Sequence, residues 1–363
     1  MGLSIIKPNS KIDFIGLRKI TLVCSVVVLL LGIGSLIING GPKYGIDFSG
    51  GVLAQVRFEN AIAPQTIKDS LSHSALKGLS VQSFGEGGNE YLLRISSTGD
   101  ADKRLPDILK ADFGKALPEN PFSIQRLDMV GPKVGADLRA AALEALYFAV
   151  LLIAIYISGR FEQRWFTAGI MAAGLAAGMY LLDLVGAPKQ MQVLLAMILT
   201  LGICWRLKLN YALGAVIALI HDVFITIGVL SILGKEFDLT IVAALLTIVG
   251  YSLNDTIIVF DRIRENIFQR SAPTYGEVIN KAVNQTLSRT LLTSGTTLLV
   301  LVSLFFFGGG IIHDFALTLL VGVLVGTYSS IFVASPVLYA FSPNEIPEPE
   351  VKSHNHAGDG SVV

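Results

Sequence analysis

The chain has 363 residues, a formal net charge of zero, 52% hydrophobic and only 15% charged residues. Soluble domains carry roughly 25% charged residues, so this composition is that of an integral membrane protein, and no basic surplus points to nucleic acid. The two cysteines, Cys24 and Cys204, both fall in apolar stretches, which gives neither a disulfide framework nor a metal spacing. Cys24 reads as a small packing residue.

The first apolar stretch, about 20–38, follows Lys7, Lys11, Arg18 and Lys19. It exceeds a signal-peptide core and lacks a small-x-small cleavage site, so residues 1–39 read as a cytoplasmic N-terminus and a retained first span. Residues 40–135 read as a soluble block. Within it, 51–58 alternates as a strand, and 64–72 reads as a helix with Pro64 in its first turn. Strands at 81–84 and 91–95 flank the turn Gly85-Glu86-Gly87-Gly88-Asn89. A second helix covers 102–117, with Pro106 a candidate for its true first turn, and a last strand covers 122–129. The order β-α-β-β-α-β is that of a ferredoxin-like α+β domain.

The remainder reads as membrane, with candidate spans at about 139–158, 166–186, 190–206, 211–233, 239–260, 288–308 and 315–340. All approach the ~20 residues a bilayer requires except 190–206, which is short; with the first, eight spans are expected. One set of loops then holds Arg160, Arg164, Arg206, Lys208, Arg262, Arg264, Arg270 and Lys281, while the opposite short loops hold Lys189 and Lys235. The positive-inside rule makes the first set cytoplasmic, the soluble block periplasmic and both termini cytoplasmic. The tail 342–363 has a disordered composition, and its His354-Asn355-His356 is too sparse for a specific metal site.

Asp255 lies in an apolar run that ends abruptly at Asp261-Arg262-Ile263-Arg264-Glu265-Asn266. An intramembrane carboxylate is expensive and marks a partnered or proton-carrying group; the alternative is a hydrated position near the headgroups. Arg289 opens the next helix, so Asp255 and Arg289 are candidates for a proton-coupling pair, unless Arg289 snorkels to the interface. His221 and Asp222, with Asn254, are candidates for a polar relay or a structural network. As neighbours in one helix, His221 and Asp222 are expected to point in different directions. His313-Asp314 is expected to be hydrated. Gly174/Gly178 and Gly322/Gly326 have the spacing of close helix contacts, and Thr293 to Thr297 gives a weakly polar face. No nucleophile–base pair, phosphate loop, ATPase signature or zinc spacing is found. The chain therefore reads as no enzyme, with no cofactor or metal, and any work it does draws on an ion gradient.

Several motifs in fixed order carry a resemblance. They are Tyr44-Gly45-Ile46-Asp47-Phe48-Ser49-Gly50-Gly51, Val130-Gly131-Pro132-Lys133-Val134-Gly135, Gly159-Arg160-Phe161-Glu162, Tyr211-Ala212-Leu213-Gly214-Ala215 with Ile220-His221-Asp222, 250–266 and 287–295. Up to about Tyr339 the chain closely resembles the SecF branch of the SecD/SecF family, relatives of the RND transporters. That resemblance implies an RND-like half-transporter core with one ferredoxin-like periplasmic domain, in the bacterial inner membrane. It implies as partners SecD, the SecYEG channel, YajC and YidC, a translocating preprotein and membrane lipid. It also implies use of the proton-motive force, with the aspartate of the Asn-Asp-(Ser/Thr) motif and the arginine of Leu-Ser-Arg-Thr tied to proton passage. These match Asp255 and Arg289.

The family usually has six spans, and here 166–210 is inserted after the Arg-Phe-Glu loop. It reads as two extra spans, in which Gly174/Gly178 favours helix packing. The organisation expected is thus 1–39, the domain 40–135, a second span and loop 136–165, the insert 166–210, four core spans 211–341 and the tail 342–363. The leading reading is a proton-coupled subunit of protein export. The alternatives are an RND-type exporter subunit for small molecules or lipids, and a passive assembly partner.

Overall fold

The computed structural model describes residues 11–72, 76, 78–84, 87–96 and 105–341. The tail from 342 with its histidines, Lys7, Gly85 and Glu86 of the hairpin, and the expected helix start at 102–104 lie outside the described residues. Helix α1 (Arg18–Ile38) is apolar around its whole circumference, and only Ser25 and Gly32 on it are buried. One face therefore touches protein and the rest suits lipid. A single turn, α2 (Ile46–Ser49), precedes Gly50 and Gly51. Both glycines have positive φ, 74° and 129°. A Cβ on Gly50 would lie 2.8 Å from Cα of Pro132, so the pair supplies both the backbone conformation and the clearance.

The soluble domain follows the expected order. It comprises β1 (Gly51–Phe58), α3 (Pro64–Ser70), β2 (Ser80–Phe84), β3 (Glu90–Ile95), α4 (Leu105–Ala116) and β4 (Phe122–Val130). The sheet order is β2-β3-β1-β4 with every neighbouring pair antiparallel, the ferredoxin-like arrangement. Alternation in β1 buries Val52, Ala54, Val56 and Phe58 against Ile67 of α3 and Leu109 and Phe113 of α4. The opposite sheet face roofs a cleft of about 950 Å³ above the helices, lined by Leu53, Arg94, Arg126, Glu236, Asp238 and His313 among others.

The bundle consists of α5 (Pro132–Glu162), α6 (Trp165–Leu184), α7 (Lys189–Arg206), α8 (Asn210–Ile232), α9 (Leu239–Phe268), α10 (Tyr275–Phe307) and α11 (Gly309–Ser329). A π-helical turn (Ser330–Ala334) then leads into α12 (Ser335–Phe341). Seven described helices are long and apolar enough to cross a membrane, where eight were expected. The eighth, α7, forms over 18 residues, but Lys189, Gln190, Gln192 and Arg206 dilute its apolar run. Lys189 and Gln192 close the hairpin instead. Lys189 pairs with Glu144 and Asp183 at 3.0 and 2.9 Å, and Gln192 Nε2 donates to the Ala187 carbonyl at 2.8 Å.

Chain direction still requires α7 to run the length of the bundle. Both α5 and the loop after α8 adjoin the soluble domain: Gly135 packs under Phe48, and Phe237 N–H donates to the Lys43 carbonyl at 2.7 Å. Thus α6 and α7 together carry the chain to the domain side and back. Within this chain Gly174 and Gly178 make no close helix contact, because a Cβ on either glycine would meet nothing within 4 Å. Spacing alone does not tell which face of α6 is covered. The Gly322/Gly326 expectation holds: a Cβ on Gly322 would strike Ile248, and one on Gly326 would come 2.9 Å from Ser252 Cβ. A contact not foreseen joins α1 to α8, where a Cβ on Gly228 would lie 2.6 Å from Gly32 Cα.

Candidate functional site

Helix α8 is buried on most of its circumference, packing with α1, α5, α7, α9 and α11. Its apolar sequence is interrupted by His221 and Asp222, which are 6% and 0% exposed. The two do not diverge as expected. His221 Nδ1 lies 2.9 Å from Asp222 Oδ1, because the imidazole turns along the helix to meet its neighbour. The other oxygen, Oδ2, accepts from Ser252 Oγ of α9 at 2.5 Å and from Ser329 Oγ of α11 at 2.7 Å. On the far side of the ring, Nε2 lies 3.1 Å from Ser25 Oγ of α1, which lies 3.1 Å from Tyr328 Oη. Tyr328 in turn donates to the Thr21 carbonyl at 2.8 Å. One carboxylate thus joins three helices directly, with a fourth, α1, reached through His221, and its lone pairs are well used.

Asp255 is 2% exposed on α9, one turn from Ser252, and is far less well supplied. Ser294 Oγ of α10 donates to its Oδ2 at a long 3.3 Å, and Thr327 Oγ1 of α11 donates to Ser294 at 2.7 Å. Residues 327 and 329 of α11 therefore serve the two acids separately, just before the π-helical turn at 330–334. Single π turns recur at functional sites in helices.

Arg289 stands on α10, which packs against α9, but no ion pair joins it to Asp255. Its side chain is exposed, and it acts on Asp255 only through space. Asn254 is exposed as well, and among the described residues its side chain makes no hydrogen bond. The exposed positions of α9 and α10 form two adjoining stripes: Thr247, Gly250 and Asn254 on one, Arg289, Thr293 and Thr296 on the other. Tyr251 lies between them, its hydroxyl donating to Thr297 Oγ1 at 3.0 Å.

His313 and Asp314 line the cleft beneath the sheet and are also partnered: Nδ1 meets the Phe305 carbonyl at 2.8 Å, and Lys235 pairs with Asp314 at 2.6 Å. Cys24 is exposed, so it does not fill the packing role expected of it, whereas Cys204 is buried; both are free.

The acid-bearing helix α9 is tied to the soluble domain at its start. Asp238 caps it by accepting from Ile241 N–H at 2.8 Å, and Asp47 of α2 accepts from Leu239 N–H at 3.0 Å. The Gly45 N–H donates to the Phe237 carbonyl at 2.7 Å. Arg94 of β3 pairs with Glu236, which also meets Lys43 at 3.2 Å. Burial pulls Lys43 and Arg94 below their ordinary values and pushes the Asp238 carboxyl up. At the other end of the bundle, Glu162 accepts from Tyr211 N–H at 2.9 Å and Arg160 pairs with Asp261 at 3.1 Å. The Arg-Phe-Glu motif thus pins α5 to α8 and α9.

The hydroxyl partners Ser25, Ser252, Ser294, Thr327, Tyr328 and Ser329 were not singled out from sequence. Serine and threonine are common in membrane helices, where they bond their own backbone, so their presence alone signals little.

The family profile described as protein export membrane protein SecD/SecF, C-terminal, matches residues 112–181 and 186–344. The SecD/SecF GG motif matches residues 35–62 and includes Gly50 and Gly51. The chain belongs to the SecD/SecF family. It is similar to the protein translocase subunit SecF of Magnetococcus marinus, with 41% identity over 91% of this chain and 92% of that one. It is similar also to the SecF subunit of Calditerrivibrio nitroreducens, with 37% identity over 93% and 96% of the two chains. The crystal structure of SecDF from Thermus thermophilus, a translocon-associated membrane protein, matches with a TM-score of 0.67 and 30% identity over 94% of this chain. This chain spans 40% of the length of that SecDF chain. The RND-like membrane core with its small antiparallel domain is thus the family's architecture, and the protein is a multi-pass membrane protein.

Proposed function

We propose that the chain is the SecF half of a SecD–SecF pair that promotes preprotein export beside the SecYEG channel, driven by the proton-motive force through Asp255. The observation that carries this is Asp255 itself. It is a carboxyl group 2% exposed within a spanning helix, with one 3.3 Å hydrogen bond and no contact cation. An ionisable group so placed is a functional site by default. Protonated, it sits neutral against Ser294; ionised, it calls for a cation, and among the described residues Arg289 on the contacting helix is the one that acts on it. Exchange between these states changes how α9 packs on α10. Because α9 begins at contacts with Asp47, Glu236 and the soluble domain, its displacement reaches that domain through a rigid element.

The exposed polar stripes on α9 and α10 support a membrane partner. Asn254 and Arg289 facing lipid would be costly, and a second set of helices, those of SecD, removes that cost and completes the proton path. The charged loops holding Arg160, Arg262 and Arg264 then lie in the cytoplasm of a bacterial inner membrane, with the soluble domain in the periplasm. YajC, YidC and lipid are further contacts on this reading. A small-molecule exporter has no comparable support, since the relatives are translocase subunits.

The test is export of a reporter preprotein in cells carrying Asp255→Asn, with membrane level and SecD association checked. Export is expected to collapse with the variant present and assembled. Normal export under those conditions would sink the proposal.

A further inference from the structure

The proton chemistry assigned to Asp255 leaves His221 and Asp222 unused, although both are buried and joined at 2.9 Å. The direction of the surrounding hydrogen bonds fixes where the protons are. The Thr21 carbonyl only accepts, so the Tyr328 hydroxyl proton points at it. The 3.1 Å contact between Ser25 Oγ and Tyr328 Oη must then be donated by Ser25, which has a single hydrogen. With that hydrogen committed, the 3.1 Å contact between His221 Nε2 and Ser25 Oγ requires a proton on Nε2. A second proton must lie in the 2.9 Å contact between His221 Nδ1 and Asp222 Oδ1. Either it sits on Nδ1, giving an imidazolium beside a carboxylate, or it sits on the acid, giving a neutral ring. Both arrangements hold one proton more than a neutral histidine beside an ionised aspartate, and both are net neutral. A buried net charge is what the low-dielectric interior disfavours.

We propose that His221 and Asp222 form a second proton-binding site in the bundle, loaded with one proton in this conformation and clamping α8 to α1 through Ser25. The groups facing it are Tyr328 and Ser329 of α11, Ser25 of α1 and Ser252 of α9, with Asp255 one turn beyond on α9; Cys24 of α1 is exposed. Loss of the proton leaves an unbalanced charge among these helices and removes the donor that holds Ser25. The site is separate from Asp255, whose hydrogen bond comes from Ser294, and the inference does not depend on the role of Asp255.

The full chain in lipid nanodiscs is examined at neutral pH by ring-nitrogen NMR of His221, identified by loss of its signals in His221→Gln. Infrared absorption of the Asp222 carboxyl, identified by Asp222→Asn, completes the proton count. An imidazolium with a carboxylate, or an Nε2–H ring with a protonated acid, supports the proposal. A neutral ring beside an ionised carboxylate overturns it. Tyr328→Phe removes the hydroxyl that commits Ser25, freeing Ser25 to donate to Nε2. Proton binding by the pair is then expected to weaken roughly fivefold to tenfold, the worth of one hydrogen bond. Unchanged proton binding in Tyr328→Phe would overturn the directional argument even if the wild-type count agrees.

Discussion

Helices α1 and α8 approach through two glycines, and Gly228→Ala tests what that approach holds in place. The added methyl group would lie 2.6 Å from Gly32 Cα, with ordinary contact beginning at 3.4 Å, so the helices must separate by about 0.8 Å. Two hydrogen bonds cross the same seam: Ser25 to His221 at 3.1 Å, and Ser35 to Ser231 at 2.9 Å. A full separation carries both beyond about 3.5 Å, where they cease to count as hydrogen bonds. Overpacking costs about 1–3 kcal/mol, and interhelical hydrogen bonds in bilayers average about 0.6 kcal/mol each. The expected loss is therefore about 2–4 kcal/mol. Because the rest of α1 faces lipid, the loss is expected to appear first as detachment of α1. The assay is equilibrium unfolding in mixed micelles, with hydrogen exchange of the α1 amides. Gly174→Ala is the control, since a Cβ there meets nothing within 4 Å. If the two variants unfold alike and the α1 amides stay equally protected, the glycine seam does not hold the helices as argued.

Three further outcomes are expected. Gly250→Trp is expected to leave the unfolding transition nearly unchanged, because Gly250 is exposed and a Cβ there meets nothing within 4 Å, while abolishing co-purification with SecD. Retained SecD would mean that the α9–α10 stripe faces something else. Asp255→Asn is expected to reduce preprotein export by at least tenfold, on the order of one lost ionisation step, with assembly intact by SecD co-purification. Burial raises the Asp238 carboxyl, partly offset by the Ile241 N–H and reinforced by Asp47 and Asp314. A carboxyl raised in the folded state binds its proton more tightly there than in the unfolded chain. Its charged form therefore destabilises the fold as pH rises from the unfolded carboxylate value through the folded one, and the penalty fades as pH falls. Asp238→Asn keeps an oxygen for the Ile241 cap and is expected to be at least as stable as wild type at neutral pH. That advantage is expected to vanish toward the acid range, as read from melting temperature against pH. An advantage independent of pH would refute the assignment.

Patterns that repeat locally were legible in the sequence. Alternation placed β1 at 51–58, as observed, and the other strands within a residue or so. Gly322 and Gly326 were legible as a contact because both lie on one face of one helix. The identical spacing at Gly174 and Gly178 meets no counterpart within the chain, since hydrophobic periodicity vanishes in a helix that is apolar all round and does not tell which face its own helices cover. What depended on pairing across the chain was hidden. Neither Gly32 nor Gly228 has a glycine four residues away, and only the tertiary arrangement shows that they meet. Asp222 finds Ser252 and Ser329 from two other helices, and nothing near His221-Asp222 announces them. The charge of Asp255 was evident, and so was Arg289; that the arginine side chain stands outside contact was not.

The two acids sit in opposite chemical states of provision, and this separates their roles. Asp222 accepts from hydroxyls of two other helices and shares a proton with His221 on its own helix, a pattern that holds helices together. Asp255 has one long bond, and its donor Ser294 is held by Thr327 and has little to lose by turning away. Both acids are reached from the same two turns of α11, through Thr327 and Ser329, beside a π-helical turn whose carbonyl of Ser330 is taken by the Ser335 hydroxyl at 3.0 Å. A helix that already departs from regular bonding at that point adjusts there more readily than elsewhere. On the function proposed above, a shift of α9 against α10 at Asp255 would turn about the better-bonded contacts at Asp222. The far end of α9 meets Asp47 and the Phe237 strand bridge, so on that reading the helix carrying Asp255 is also the one attached to the soluble domain.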